Sequence, residues 1–186
     1  SLLNGGGGGN AKFSGGGGGS NFSEGGAGGN ESGFCTATSG TTNGLPGYSF
    51  GDDGRGIYYN DDDDNVNGPT YANRIFLGGG GGSGTQHIGN GFPASQGGNG
   101  GGIVIIIADT LESTLANPIL AKGESVLPAV AGSGAGGGAG GCIVLDISHY
   151  EGEIKLNAEG GDGGHTNGAL FTGPGGGGGG GIYWLR

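Results

Sequence analysis

Several residue types are scarce in this chain of 186 residues: it has no methionine, one tryptophan, two cysteines, six prolines and only six lysines and arginines. Against sixteen acidic residues, those six cations leave a net charge of −10. A surface of that sign does not suit a nucleic-acid backbone or an acidic membrane, so neither is expected as a partner. Collagen is also excluded despite 57 glycines, because glycine does not recur at every third position and proline is sparse. No membrane-spanning apolar run and no signal peptide is legible. Without methionine even at position 1, the chain reads as a processed product or a piece of something longer.

Catalytic constellations are missing as well. The phosphate-binding form ending in Gly-Lys-Ser/Thr is absent, since Lys12 follows alanine and Lys122 precedes Gly-Glu. His87, His149 and His165 are dispersed, with none of the spacings that hold a metal. Glu151, Glu153 and Glu159 alternate with other residues in a way that fits the wet side of an edge strand better than a carboxylate pair. No Ser/His/Asp or Cys/His set can be argued, so a non-catalytic role is expected.

What the chain does have is glycine in register. The first thirty residues repeat every ten, as runs of glycine closed by polar turns near Phe13, Phe22 and Phe34. A flexible linker has no reason to keep such a period, and it would not expose patches such as "GIVIIIAD", "CIVLDI", "RIFL" and "GIYWLR". In the polyproline II conformation a glycine run rises about 3.1 Å per residue, with three residues per turn and no internal hydrogen bonds. Every N–H and C=O then points outward. Lacking Cβ atoms, parallel runs of this kind can approach closely enough to bond to one another.

A longer repeat overlies the short one. Ile103, Ile143 and Ile182 each follow a glycine run, at spacings of 40 and 39 residues, and each opens a predicted strand. Upstream of them, "RIFLGG", "PILAKG" and "EIKLNAEGG" supply a second strand per unit. The unbroken β-branched run Ile103 to Ile107 predicts burial on both faces. Helical signal is confined to Ala108–Asn117, which predicts a short turn of helix. The expected fold is therefore mainly β and irregular, a bundle of packed polyglycine II helices bordered by short β-strands. A right-handed parallel β-helix is the alternative, with each forty-residue unit making two coils.

One domain spans residues 1–186, with residues 36–70 as an Asp/Tyr-rich insertion lobe. Tyr48, Phe50, Arg55, Tyr58 and Tyr59 gather in or beside that lobe and form the candidate ligand-binding set, because exposed rings beside polar groups suit carbohydrate or protein recognition. They would equally pack the lobe onto the glycine body. Asp52, Asp53, Asp61, Asp62, Asp63 and Asp64 are the densest charge in the chain. Their hard oxygens suit Ca²⁺ if a loop closes on them, although the spacing is not that of an EF-hand and a solvated acidic run is the other reading. Cys35 and Cys142 either pair in an oxidising compartment or stay as two buried thiols.

The order "GGGIVIIIADTLE", "GAGGGAGGCIVLDISHYEGEIKLNAEGGDGG", "GPGGGGGGGIYWL" resembles a module of large secreted surface proteins of gram-negative bacteria, including adhesins exported by the type IX route. Its glycine runs are also similar to the polyglycine bundles of phage tail-fibre adhesins and of the glycine-rich domain of anaplastic lymphoma kinase family receptors. The resemblance covers roughly residues 73–186. It implies an extracellular or cell-surface display role, with a glycan, a protein receptor or neighbouring domains as partner and contact with a secretion machinery. A spacer or filament subunit is the alternative. No catalytic residue transfers, and the acidic insertion departs from the pattern.

Overall fold

The computed structural model describes residues 4–10, 13–30, 43–49, 75–85, 94–114, 116–129, 132–166 and 172–186. Five strands form among these residues: β1 Ile103–Ser113, β2 Ile119–Leu120, β3 Cys142–Gly152, β4 Leu156–Asn157 and β5 Ile182–Leu185. They make two parallel sheets, β1-β3-β5 and β2-β4. Among the described residues there is no helix. The architecture is thus mainly β with long irregular segments, and those residues hold no helix long and apolar enough to cross a membrane.

The forty-residue repeat sets the sheet register. Ile103 pairs with Cys142 and Cys142 with Ile182, so one repeat advances the chain by one strand. The glycine runs lead directly into β1, β3 and β5, as their sequence positions require. Inward residues of the two sheets meet in a small apolar core of Ile143, Leu145, Ile147, Ala121 and Ala158, flanked by Val104, Ile106 and Leu156.

Most of the remaining interior is backbone. Segment 14–20 is wholly buried, and its N–H groups change direction residue by residue. Gly15 and Gly18 donate to Gly29 and Gly26, Gly16 and Gly19 to Gly134 and Gly137, and Gly17 and Ser20 to Gly7 and Asn4. Its carbonyls repeat the pattern: Gly15 and Gly18 accept from Gly44 and Gly47, Gly16 and Gly19 from Gly176 and Gly179, Gly17 and Ser20 from Gly82 and Gly79. Each direction recurs after three residues, and each leads to a different flanking segment.

Segment 133–141 is equally buried and obeys the same rule. Gly134, Gly137 and Gly140 donate to Gly173, Gly176 and Gly179, Gly136 and Ala139 to Gly82 and Gly79, and Gly138 and Gly141 to Glu124 and Ala121. Its carbonyls receive N–H groups from Gly16 and Gly19, from Gly98 and Gly101, and from Gly161 and Gly164. The two buried segments therefore lie side by side, bonded to each other and ringed by the rest. Chain direction alternates: pairings such as Gly15–Gly29 with Gly18–Gly26 run antiparallel, whereas Gly16–Gly134 with Gly19–Gly137 run parallel.

Glycine is a steric requirement in this interior. A Cβ built on Gly136 would lie 2.0 Å from the Gly17 carbonyl oxygen, and one on Gly18 would lie 1.9 Å from that of Gly177. Real Cβ atoms do not approach so closely. At the periphery the period shows in exposure, with Gly173, Gly176 and Gly179 buried while Pro174 and Gly177 face solvent.

Three expectations are corrected. Residues 108–113 continue β1 rather than forming a helical turn, because Thr110, Leu111 and Glu112 hold the register against His149, Tyr150 and Glu151. Burial of Ile103–Ile107 on both faces fails: Ile105 is 53% and Ile107 76% exposed, because they share the open face of the sheet with their partners Val144 and Asp146, whereas Val104 and Ile106 turn toward the core. Finally, Ile75–Leu77 form no strand. The carbonyls of Phe76 and Leu77 are instead engaged by the side-chain amides of Asn21 and Asn4.

Candidate functional site

Where the flanking segments lose glycine, the lattice opens. Segments 95–101 and 121–128 join at Glu124, whose N–H donates to the Asn99 carbonyl at 2.9 Å. The Glu124 carboxylate reaches back to accept the Asn99 N–H at 2.9 Å and its side-chain amide at 2.6 Å. One three-residue step further stand Val126, Leu127 and Pro128, and Pro128 has no N–H to donate. A groove of about 600 Å³ lies here, lined by Gln96, Gly97, Gly98, Val126, Leu127 and Pro128 among others.

The groove combines an apolar wall with polar ends. Leu127 is 82% exposed, an unusual position for a large aliphatic side chain without cover. Gln96, Asn99, Glu124 and Ser125 are exposed beside it. Behind them the Ser125 hydroxyl accepts the Asp162 N–H at 2.9 Å, and Val126 N–H donates to the Asp162 carbonyl. The neighbouring segment thus fixes the backbone of this wall. The lining thus presents hydrogen-bonding groups and one carboxylate, that of Glu124.

Nothing in the sequence reading selected this groove. Its only signal is "ESVLPAVA", a stretch without glycine between Gly123 and Gly132.

Of the residues selected from sequence, Tyr48 is described. It is 68% exposed and follows segment 44–47, whose Gly47 carbonyl is engaged by the buried Ser20 hydroxyl. Phe50, Arg55, Tyr58 and Tyr59 lie outside the described residues, as do Asp52, Asp53, Asp61, Asp62, Asp63 and Asp64. Cys142 is fully buried at the start of β3, and Cys35 lies outside the described residues. Among the described residues no group of three or more His, Cys, Asp or Glu side chains is placed to hold a metal ion. His149 and His165 are exposed and sit on different elements, β3 and the segment after β4.

Comparison with protein-family models, with curated proteins and with solved structures yields no match.

Proposed function

We propose that this chain is a non-catalytic adhesin or surface-display module of the cell exterior, built on a bundle of polyglycine II helices. One observation carries the reading: segments 14–20 and 133–141 send their backbone hydrogen bonds outward to different neighbours with a period of three residues. That period belongs to the polyproline II family of conformations and to neither the α-helix nor the β-strand. An interior of this kind is rigid while its turns stay free to vary, which is the division of labour a recognition platform needs. The net charge of −10 keeps nucleic acid and acidic membranes away and suits an exterior setting.

In this reading a surface glycan or protein receptor is held by the aromatic and acidic lobe around Tyr48, with the 600 Å³ groove as a further contact. Purified protein should bind whole cells or an immobilised glycan panel, and Tyr48→Ala should weaken binding without changing the melting temperature. Hydrogen exchange tests the scaffold separately: amides of Gly173–Gly181 should exchange far more slowly than in a free peptide of the same sequence. Free-peptide rates there would remove the bundle, and open-ended assembly without any ligand binding would favour the spacer or filament reading.

A further inference from the structure

β1 has the composition of an interior strand and the position of an edge strand. Ile103–Ile107 is an uninterrupted β-branched run, the pattern of a strand with neighbours on both sides and cover on both faces. β3 meets the first condition, with β1 and β5 on either side, and it buries Cys142, Ile143 and Leu145 fully. β1 does not. Its one partner among the described residues is β3. Ile103, Ile105 and Ile107 are exposed by 36%, 53% and 76%, and Val104 and Ile106 on the inner face are only half-buried.

Edge strands of soluble proteins are ordinarily guarded by lysine, proline, a bulge or an inward charge. From Ile103 through Ala108 this strand has none of these, and its first charge is Asp109. The unguarded edge continues below the sheet. Gly97 and Gly100, in the segment that feeds β1, make no backbone hydrogen bond among the described residues. A row of unpaired N–H and C=O groups is complementary to an extended chain rather than to a helix or a small molecule.

We propose that β1 takes a further strand along this edge, and that the strand is β1 of a second copy, antiparallel across a two-fold axis. The sequence of β1 is self-complementary in that arrangement. An axis at Ile105 sets Ile103 opposite Ile107 and Val104 opposite Ile106, so the whole apolar run pairs with itself on matching faces. The same register keeps Asp109 and Glu112 away from their symmetry mates. Pairing through the other open edge is the weaker solution, since β5 offers only four residues against the eleven of β1. A closed two-fold contact of this type ends at the dimer and does not propagate.

Sedimentation velocity between about 1 and 100 µM, the range in which a modest interface is populated, tests the proposal. The intact chain should sediment as a dimer at the upper end. Ile105→Lys places two ammonium groups face to face across the axis and should weaken association roughly tenfold or more, with the far-ultraviolet spectrum unchanged. A second readout uses the unaltered chain: amide exchange across Ile103–Ala108 should slow as concentration rises, while that of Gly134–Gly141 stays constant. A monomer at every concentration, a dimer indifferent to Ile105→Lys, open-ended growth, or concentration-independent exchange in β1 would each overturn it. None of these outcomes bears on ligand binding by the lobe or groove.

Discussion

Alanine at Gly136 and at Gly80 should move stability in opposite directions. In helices and most extended backbones, replacing glycine by alanine at a compatible site stabilises a protein by about 0.4–1 kcal/mol, because the unfolded chain loses freedom. Gly80 is such a site: its added Cβ would find nothing nearer than the Gly98 carbonyl oxygen at 3.6 Å, an ordinary contact. Gly136 is not. Its Cβ would lie 2.0 Å from the Gly17 oxygen and 2.4 Å from the Gly17 carbonyl carbon, both backbone atoms that cannot rotate away.

Relief requires the two buried segments to part by about 1 Å, to bring that contact near the 3.0 Å floor. Parting strains the hydrogen bonds that hold both residues: Gly136 N–H to Gly82 at 2.8 Å, Gly98 N–H to Gly136 at 2.9 Å, and Gly82 N–H to Gly17 at 2.8 Å. At about 1 kcal/mol for each bond lost, the cost is about 2–4 kcal/mol. For a chain of this size that lowers the melting temperature by roughly 5–15 °C. Gly80→Ala should raise it slightly. Thermal and urea denaturation of both variants decide the matter, and equal shifts for the two would refute a backbone interior.

A second substitution tests how the ends of the buried segments are closed. Asn21 is fully buried, and its side-chain amide donates to the Gly140 carbonyl at 2.7 Å and to that of Phe76 at 3.3 Å. Asn21→Ala leaves those carbonyls without their donor and should cost about 1–3 kcal/mol in urea denaturation, whereas Asn10→Ala, at an exposed position, should cost little.

The strand starts were legible because they are written in side chains. Apolar residues following glycine at spacings near forty announced β1, β3 and β5, and the observed pairs Ile103–Cys142 and Cys142–Ile182 differ from the expected alignment by a single residue at the central strand. Neighbour relations among the glycine runs were not legible. Gly16 bonds to Gly134 across more than a hundred residues, and no feature of either glycine distinguishes it from the next. The information sits instead in turn lengths and in strand register, which one sequence does not expose.

The same reasoning explains the two misread features of β1. Its apolar run predicts cover on both faces, yet composition cannot reveal that one face of the sheet is left open. The helical periodicity of residues 108–117 was overridden by a ladder with β3 that reaches Ser113. For the groove, the glycine-free stretch with Val126, Leu127 and Pro128 is visible in the sequence, but its meaning depends on segment 95–101 lying alongside.

An interior composed of amides has a thermal consequence of its own. Unfolding an ordinary protein wets hydrocarbon, which raises heat capacity and bends the stability curve downward at both temperature extremes; wetting polar surface changes heat capacity in the opposite sense. Here the residues released from segments 14–20 and 133–141 are glycine, serine and alanine, with little hydrocarbon to wet, so a calorimeter should register a heat-capacity increment below the usual ~12–15 cal/mol/K per residue. The chain should therefore lose little of its stability in the cold.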